Sequence, residues 1–351
     1  MQKTIVPDVW TWKRWQADRS MDFNSWFVKG DANVAIDPLE PDAEDLAQID
    51  EMGGVSWVIV TNRDHERATR AFVDRFEAKV AASDLDAGEL SVAVTQRLTD
   101  GEVFQGWRVI QLDGFKSPGE IALYSLDRKT LVLGDSLWGD PAGSLRFGAE
   151  KKLADLKGAA LSLRAALAVP HIEHVLVGDG VSIFGGGRKA IVDCIHDRAL
   201  PDALRINLAD VPTQLRAHHD GYRAASGDVG FMLGAERLGY RILRLEPGDA
   251  FCPLHWHTRE EELLIVFDGS PTLLHPAGNL QLAKGDFVAF PTGATGAHKL
   301  RNDGKETCTI FLLANVDQGD VCFYPDSKKV MVEYRGLIVR SEPELAYFDG
   351  E

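Results

Sequence analysis

Apolar and polar positions follow two different periods over residues 1–200 of the chain. Short apolar runs that fit strands are interleaved with segments in which apolar residues recur every three to four positions, as in helices. The pattern predicts strands at residues 23–28, 33–36, 57–61, 121–124, 130–133 and 174–177, and helices at 43–52, 66–76, 151–168 and 188–198. Strands interleaved with helices indicate an α/β layered domain.

The pattern changes after Leu200. From Tyr240 onward, short strands are separated by turn signals such as Pro-Gly, Asp-Gly and Thr-Gly pairs. Evenly spaced short strands without helices are typical of an all-β barrel or sandwich. A chain of 351 residues is also too long for one ordinary core. We therefore predict two domains, residues 1–203 and residues 204–351, with the boundary inside the segment 200–227.

The formal net charge of −15 narrows the classes of binding partner that the sequence predicts. A surface this acidic repels nucleic-acid phosphates and anionic lipid headgroups. The expected partner is therefore a small molecule, and neither nucleic acid nor a membrane surface is predicted to bind.

Cysteine usage and the first residues of the chain bear on the compartment. The 4 cysteines are Cys194, Cys252, Cys308 and Cys322, and no two of them have C-x-x-C spacing. So few cysteines in a long chain suggest a reducing environment. The segment MQKTIVPDVWTWKRWQ has no apolar core of a signal peptide, and no apolar run is long enough to span a membrane. The sequence predicts a cytoplasmic protein.

Two histidines and a glutamate cluster in the second domain. His255 and His257 are two residues apart, and residues i and i+2 of a strand project from the same face. Glu262 directly precedes the apolar run LLIVF and can supply an anionic oxygen from a neighbouring strand. Glu260 and Glu261 adjoin it, so the choice between Glu262 and Glu261 in particular stays open, with Glu262 favoured for its position at the start of the strand.

A third imidazole, His298, follows on a later predicted strand. Three imidazoles and one carboxylate can bind a divalent transition metal, and this mixture suits Fe, Mn, Ni, Cu or Zn. On a six-coordinate ion, four protein ligands leave two positions for substrate, water or dioxygen. We therefore predict one metal ion held by His255, His257, Glu262 and His298.

The two segments resemble the sequence motifs of the cupin superfamily. The first motif, G-x5-6-H-x-H-x3-4-E-x6-G, matches residues 248–269 throughout. The second, G-x5-P-x-G-x2-H-x3-N, matches residues 285–302 with one departure, because four residues separate Gly293 from His298 where the pattern has two. The resemblance implies that residues 204–351 form an all-β cupin barrel, also called a double-stranded β-helix or jelly roll, around the three-His, one-Glu site.

The first domain resembles the metallo-β-lactamase fold in the order and spacing of its segments. The segments that carry the resemblance are DFNSWFVKG, VAIDPLEP, WVIVTNRDHERA, DGFKSPGEIALY, LVLGDSLW and HVLVGDGVSIF. They are similar to the opening strands of that family, its T-H-x-H-x-D-H loop, its P-G-H-T-P-G-S segment, the strand with a bridging aspartate and the strand that ends in a final histidine. The resemblance implies an αββα sandwich over residues 1–203.

The first loop of this domain lacks most of the metal ligands of that family. Asn62 and Asp64 fall on the first two histidine positions, Glu66 on the aspartate position and Arg67 on the last histidine position. An alternative register aligns Asp64 and His65 with the family's Asp-His pair, but it still supplies a single histidine.

The later ligand positions are also altered. Lys116 and Asp179 stand where the resemblance implies histidines, and Asp135 is retained. A cationic side chain among the ligands would repel a divalent ion. We predict instead a polar cluster tied by ion pairs such as Lys116 with Asp135; its members would be Asp64, His65, Lys116, Asp135 and Asp179. The alternative is a metal-free pocket that binds an anion through Arg63, Arg67 and Lys116.

These features predict an α+β, two-domain protein in which a metal-binding cupin follows a degenerate metallo-β-lactamase-like domain. The resemblance to cupins implies a metal-dependent oxidoreductase, dioxygenase or isomerase that acts on a small molecule, and suggests a homodimer. Two alternatives belong to other classes: a non-catalytic module that binds or senses a small molecule, and a metallo-hydrolase that works from the first domain. No catalytic acid or base is assigned, and no organic cofactor is predicted.

Overall fold

The computed structural model divides the chain into two units, Met1–Arg205 and Ile206–Glu351. It describes residues 1–332, 336–343, 345, 346, 348 and 349. The division lies next to the boundary drawn from the sequence between residues 203 and 204. Within this described part, every helix is too short or too polar to cross a lipid bilayer.

The first sheet of the N-terminal unit follows the chain order. Its strands are β1 (Gln2–Lys3), β2 (Val9–Gln16), β3 (Met21–Val28), β4 (Val34–Ile36), β5 (Trp57–Val60), β6 (Lys79–Ser83) and β7 (Gln96–Leu98). Pairing is antiparallel from β1 to β4 and parallel from β4 to β7. The parallel connections from β4 to β6 carry helices, as the alternating pattern predicts.

The second sheet has the order β13-β12-β11-β10-β9-β8. Its strands are β8 (Val103–Phe104), β9 (Trp107–Gln111), β10 (Ile121–Ser125), β11 (Thr130–Leu133), β12 (His174–Val177) and β13 (Ile183–Phe184). The helices of this unit are α1 (Ala43–Glu51), α2 (Thr69–Phe76), α3 (Leu156–Ser162), α4 (Arg164–Leu167) and α5 (Gly187–Ala199).

Three apolar cores show that these elements form four layers. Trp26 of β3 and Leu123 of β10 lie in a core made by the facing sides of the two sheets. Phe27, the neighbour of Trp26, lies in a second core with Phe72 of α2. Tyr124 lies in a third core with residues of α3 and α5. Because neighbouring strand residues point to opposite faces, each sheet is covered on both sides, and the predicted αββα sandwich is confirmed.

The single helix predicted over residues 151–168 is wrong. The structure has a 3₁₀ turn at Glu150–Lys152, followed by the separate helices α3 and α4. Asp155 begins α3, because its side chain accepts a hydrogen bond from the backbone N of Lys157 at 3.2 Å. An aspartate at this position accepts a hydrogen bond from an otherwise unpaired backbone N–H of the first helical turn. It therefore favours a helix that begins here over one that continues through this position. Residues 150–152 therefore form a turn of their own, and the backbone O of Lys152 accepts a hydrogen bond from the N of Lys116 at 2.9 Å.

The C-terminal unit is built from short antiparallel strands. They are β14 (Gln214–His219), β15 (Tyr222–Gly227), β16 (Leu238–Leu245), β17 (Trp256–His257), β18 (Glu262–Asp268), β19 (Thr272–Leu274), β20 (Leu280–Gln281), β21 (Phe287–Phe290), β22 (Lys299–Arg301), β23 (Cys308–Asn315), β24 (Val321–Tyr324), β25 (Lys329–Val332) and β26 (Leu337–Arg340). One short helix, α6 (Val229–Leu233), interrupts this all-β pattern.

Strands distant in sequence pair to close this unit around its core. The largest sheet has the order β14-β15-β16-β23-β18-β21, and a second sheet has the order β17-β24-β25-β26. Alternate residues of β16, β18 and β23, including Leu243, Leu264 and Ile310, are fully buried in one apolar cluster. The pairing of β17 with β24 brings the histidine segment beside a strand that lies more than sixty residues further along the chain.

Candidate metal centre

Two predicted ligands, His255 and His298, are paired through their backbones. The N–H of His255 donates to the O of His298 at 3.1 Å, and the N–H of His298 donates to the O of His255 at 2.9 Å. Their ring centroids are 4.5 Å apart. Because two reciprocal backbone bonds fix both Cα positions, this pairing holds the two imidazoles side by side.

The longer spacing before His298 accommodates a 3₁₀ turn, Ala294–Gly296. The O of Gly296 accepts a hydrogen bond from Nδ1 of His298 at 2.9 Å. A Cβ at position 296 would lie 1.9 Å from the O of Pro291, so the turn requires glycine there. The departure from the motif therefore supplies the acceptor that orients His298.

The third imidazole, His257, is oriented by a carboxylate. Its Nδ1 donates to Oδ2 of Asp320 at 2.6 Å. Asp320 is fully buried and also accepts from the backbone N of Arg259 at 2.8 Å and from Oγ1 of Thr258 at 3.1 Å. Three donors hold this carboxylate in place, so it fixes both the tautomer and the ring angle of His257.

Glu262 is the glutamate that the structure places against the imidazoles. Its Oε2 lies 3.2 Å from Nε2 of His298 and 3.8 Å from Nε2 of His257. Glu261 is exposed, and Glu260 approaches the opposite nitrogen of His257, Nδ1, at 3.9 Å. The structure thus brings His255, His257, Glu262 and His298 together, as their sequence pattern predicts.

All three imidazoles present the same nitrogen to the site. Each donates through Nδ1 to an oxygen of the chain, and this leaves Nε2 with a lone pair. The acceptors for His255, His257 and His298 are the O of Pro253 at 3.0 Å, Oδ2 of Asp320 and the O of Gly296. Neutral imidazoles fixed in this way, beside a carboxylate, fit a divalent transition metal.

Burial sets the protonation of these rings. It lowers the pKa of His255 to about 4 and that of His298 to about 3, and the neighbouring imidazoles add to both effects. Burial also opposes protonation of His257, but the hydrogen bond to Asp320 and the charge of Glu262 outweigh it and raise the pKa of that ring. At neutral pH the His255 and His298 rings are therefore uncharged and able to bind a metal.

The sequence analysis did not identify the residues that β24 brings to this site. His257 of β17 lies directly opposite Cys322 of β24, so both side chains point to the same face. Residues two positions away point toward the same side: Asp320, just before β24, bonds to His257, and Tyr324, at the end of β24, stacks on the His255 ring with centroids 6.0 Å apart. The alternating D-x-C-x-Y pattern of residues 320–324 is the signal that could have found them.

An aromatic ring covers one side of the cluster. Phe290 stacks on His298 with centroids 3.7 Å apart and an interplanar angle of 11°. An apolar wall of this kind limits the access of water to the His298 ring and strengthens electrostatic interactions inside the site. On the opposite face of β17, which points away from the cluster, Trp256 stacks on Phe323 at 4.3 Å and 3° and holds β17 against β24.

In the N-terminal unit, the predicted polar cluster is present and centres on His65. This buried ring has Nδ1 2.7 Å from Oδ2 of Asp37 and Nε2 3.5 Å from Oδ1 of Asp135. Burial and Arg67, whose Nη2 lies 3.1 Å from Nε2, oppose protonation. The two carboxylates outweigh them and raise the pKa of His65 to about 10. His65 is therefore an imidazolium that balances two buried carboxylates.

A lysine that the sequence analysis overlooked completes this cluster. Nζ of Lys152 lies 2.6 Å from Oδ2 of Asp135 and 2.7 Å from Oδ2 of Asp64. The predicted pair of Lys116 with Asp135 is wrong, because Lys116 bonds to Asp64 at 2.7 Å instead. The cause is the 3₁₀ turn at Glu150–Lys152, which delivers Lys152 to Asp135 where a continuous helix was expected.

The remaining predicted members divide between the cluster and the surface. Arg67 pairs with Asp179 at 3.1 Å, whereas Glu66 lies outside the cluster and accepts from the N of Ser91 at 2.8 Å. The cluster offers one imidazole, and cations occupy the spaces between its carboxylates. A divalent ion would be repelled there, so these residues do not fit a binuclear metal site.

The His65 ion pairs predict a pH dependence of stability. A histidine whose folded pKa is about 10 and whose unfolded pKa is 6.5 contributes stability that is fully present below 6.5 and is lost as the pH rises through 10. We therefore expect the unfolding temperature of the N-terminal unit to fall between these values and the fall to be shallower in His65→Gln.

Intrinsic fluorescence measures this unit, since all tryptophans except Trp256 lie in it. His196→Gln on α5 is the control and should keep the wild-type slope. Equal slopes in His65→Gln and the wild type would contradict the assignment of the charge.

Comparisons with known families agree with this architecture. The model of the metallo-beta-lactamase superfamily matches residues 1–197, and the model of the cupin domain matches residues 241–314. The second match includes all four predicted metal ligands. No curated protein matches the chain as a whole or in part.

Solved structures resemble each unit separately. A protein proposed to be a sugar phosphate isomerase, from Acidithiobacillus ferrooxidans, is 26% identical with a TM-score of 0.39, over 41% of this chain and 97% of that one. A sugar phosphate isomerase of the cupin superfamily from Silicibacter pomeroyi is 21% identical with a TM-score of 0.36, over 41% and 98%. A metallo-beta-lactamase from Hirschia baltica is 16% identical with a TM-score of 0.45, over 56% and 96%.

Proposed function

We propose that the cupin domain carries the activity of this protein. The premise is that the chain belongs to the metallo-beta-lactamase superfamily through residues 1–197 and carries a cupin domain at residues 241–314. In this proposal, one divalent transition-metal ion is held by His255, His257, Glu262 and His298. The protein acts there on a small molecule that carries oxygen donors, as an oxidoreductase or an isomerase.

One observation carries this proposal: three imidazoles from two segments of the chain are each anchored through Nδ1 and converge on one carboxylate. Nε2 of His298 and Nε2 of His257 lie 3.2 and 3.8 Å from Oε2 of Glu262. A divalent ion between these rings and the carboxylate would accept the Nε2 lone pairs and balance the charge of Glu262. A bound divalent ion would supply Lewis-acid or redox chemistry to an oxygen atom of the substrate.

The residues of the chain have separable roles in this proposal. The reciprocal backbone bonds of His255 and His298 set the spacing of two ligands, and Asp320 orients the third. Phe290 shields the His298 ring from water. Ligands held in one arrangement before the metal binds lose little conformational freedom on binding, so the site is preorganised.

The N-terminal unit differs from the cupin domain in that its described residues offer no comparable metal ligands, and this difference supports the assignment of the metal site to the cupin domain. Its carboxylates already have cationic partners in Lys152, Lys116 and Arg67. A metallo-hydrolase working from this unit is therefore not proposed. The same pairs engage two of the three cations that the sequence suggested for binding an anion.

Elemental analysis of protein purified without a histidine tag tests the proposal. We expect about one transition-metal ion per chain, and its loss in His255→Ala and in His298→Ala. His219→Ala, at an exposed histidine of β14, is the matched control and should keep the metal. Two metal ions per chain, or full metal content in both site variants, would place the metal elsewhere. Turnover of thiols, 1,3-diketones and sugar phosphates by metal-loaded protein would then be compared with that of His255→Ala.

A further inference from the structure

We infer that the thiol of Cys322 is an additional ligand of the cupin metal, so that the site offers sulfur as well as nitrogen and oxygen. This inference rests on the proposed metal centre and changes its chemical character. Neither the cupin motifs nor the sequence pattern of the ligands includes a cysteine.

Strand register places the thiol on the correct side. His257 and Cys322 are directly opposed in the antiparallel pair β17 and β24. Opposed residues of such a pair project from the same face, and His257 points into the site. The neighbours Trp256 and Phe323 are also opposed and stack on the other face. The orientation of Cys322 is therefore fixed by the backbone and by an aromatic pair that anchors the alternate positions.

The distances allow ligation. Sγ of Cys322 and one ring nitrogen from each of His255 and His257 all lie within 4.8 Å of one another. Zn–S and Zn–N bonds measure about 2.3 and 2.0–2.1 Å, so an ion bound between these atoms would hold the sulfur and a nitrogen within about 4.4 Å of each other. Glu262 and His298 form an equivalent group with His255, also within 4.8 Å. His255 belongs to both groups, and the inference places the ion beside this shared ring.

A second cysteine provides an internal comparison. Sγ of Cys252 lies 3.5 Å from Nδ1 of His255, the nitrogen that bonds to the O of Pro253. Cys252 is thus next to the same ring but at the edge that faces away from Nε2. A ligand at Cys322 and none at Cys252 is the arrangement that these contacts predict.

Thiolate ligation has a chemical consequence. When the sulfur–metal bond forms, the thiol proton is released to solvent, and the oxidation state of the metal does not change. Soft thiolate favours zinc, cobalt, copper or iron over manganese and magnesium, which prefer oxygen donors. The site would therefore select among the metals that the histidine and glutamate ligands alone leave open.

Cobalt(II) loading of the metal-free, full-length protein tests this inference. Bound cobalt per chain is measured by elemental analysis, and ligation by sulfur is measured as a thiolate-to-cobalt charge-transfer band in the near ultraviolet. We expect about one cobalt ion per chain with this band in the wild type and in Cys252→Ser. In Cys322→Ser we expect the cobalt to be retained and the band to be lost.

The outcomes separate the two proposals. Cobalt binding without the band in the wild type, or a band that persists in Cys322→Ser, overturns the role of Cys322 and leaves the metal centre intact. Failure of the wild type to bind cobalt overturns both. X-ray absorption of the zinc-loaded wild type gives a test that needs no variant: one sulfur neighbour at about 2.3 Å is expected, and a shell of only nitrogen and oxygen contradicts the inference.

Discussion

Replacing Lys152 by methionine is expected to lower the free energy of unfolding of the N-terminal unit by about 3–5 kcal/mol. The ammonium group lies 2.6 Å from Asp135, and the two side chains are only 16% and 9% exposed. Methionine keeps most of the side-chain volume but leaves the carboxylate of Asp135 buried beside the more distant His65 ring, whose Nε2 lies 3.5 Å away. Removing one member of a buried pair costs far more than the pair contributes as a whole.

Urea unfolding followed by tryptophan fluorescence measures this loss. Lys189→Met removes a lysine from an exposed pair on α5, 66% and 60% exposed, and should change stability by less than about 1 kcal/mol. Adding Asp135→Asn to Lys152→Met should recover part of the stability, because it removes the stranded charge. If Lys152→Met lowered the free energy of unfolding as little as Lys189→Met does, the charge of Asp135 would be stabilised by solvent and not by Lys152.

Asp320→Asn is expected to weaken metal binding by about 10- to 100-fold, equivalent to about 1.4–2.7 kcal/mol. Asparagine has nearly the same shape and can still accept a hydrogen bond from Nδ1 of His257. It lacks the negative charge that makes the imidazole a stronger donor to the metal. Because Asp320 reaches the ion only through His257, its role is positioning, and the stoichiometry should remain near one.

Competition with a chromophoric chelator gives the affinity. Asp317→Asn is the matched control, because Asp317 lies near Arg259 and the N of Gly319 but contacts none of the three histidines. Its affinity should equal that of the wild type, and far-ultraviolet circular dichroism checks that both variants fold. An unchanged affinity in Asp320→Asn would mean that backbone packing alone orients His257.

The predicted ligands illustrate what local pattern reveals. His255 and His257 are two apart, so any extended backbone places them on one face, whatever the rest of the fold. The layered order of the N-terminal unit follows from similar local periods. These features depend on a few neighbouring residues, and the αββα arrangement accordingly matches the sequence prediction.

The sequence analysis did not identify three residues, for a different reason: Asp320, Cys322 and Lys152. Asp320 and Cys322 reach the histidines only because β24 pairs with β17, and no local pattern specifies a partner so far along the chain. Lys152 was expected on a helix, and its contact with Asp135 depends on a turn that ends before Asp155 starts α3. Long-range register and helix boundaries are decided by packing that the sequence shows only indirectly.

The ammonium group of Lys152 between Asp64 and Asp135 has a consequence for folding under metal limitation. A metal ion is a dissociable ligand, so the stability it confers depends on its free concentration and disappears with a chelator. A lysine is covalently attached, and its occupancy of the space between the carboxylates is set by the chain itself. The N-terminal unit can therefore fold at the same stability whether its surroundings are rich or poor in metal.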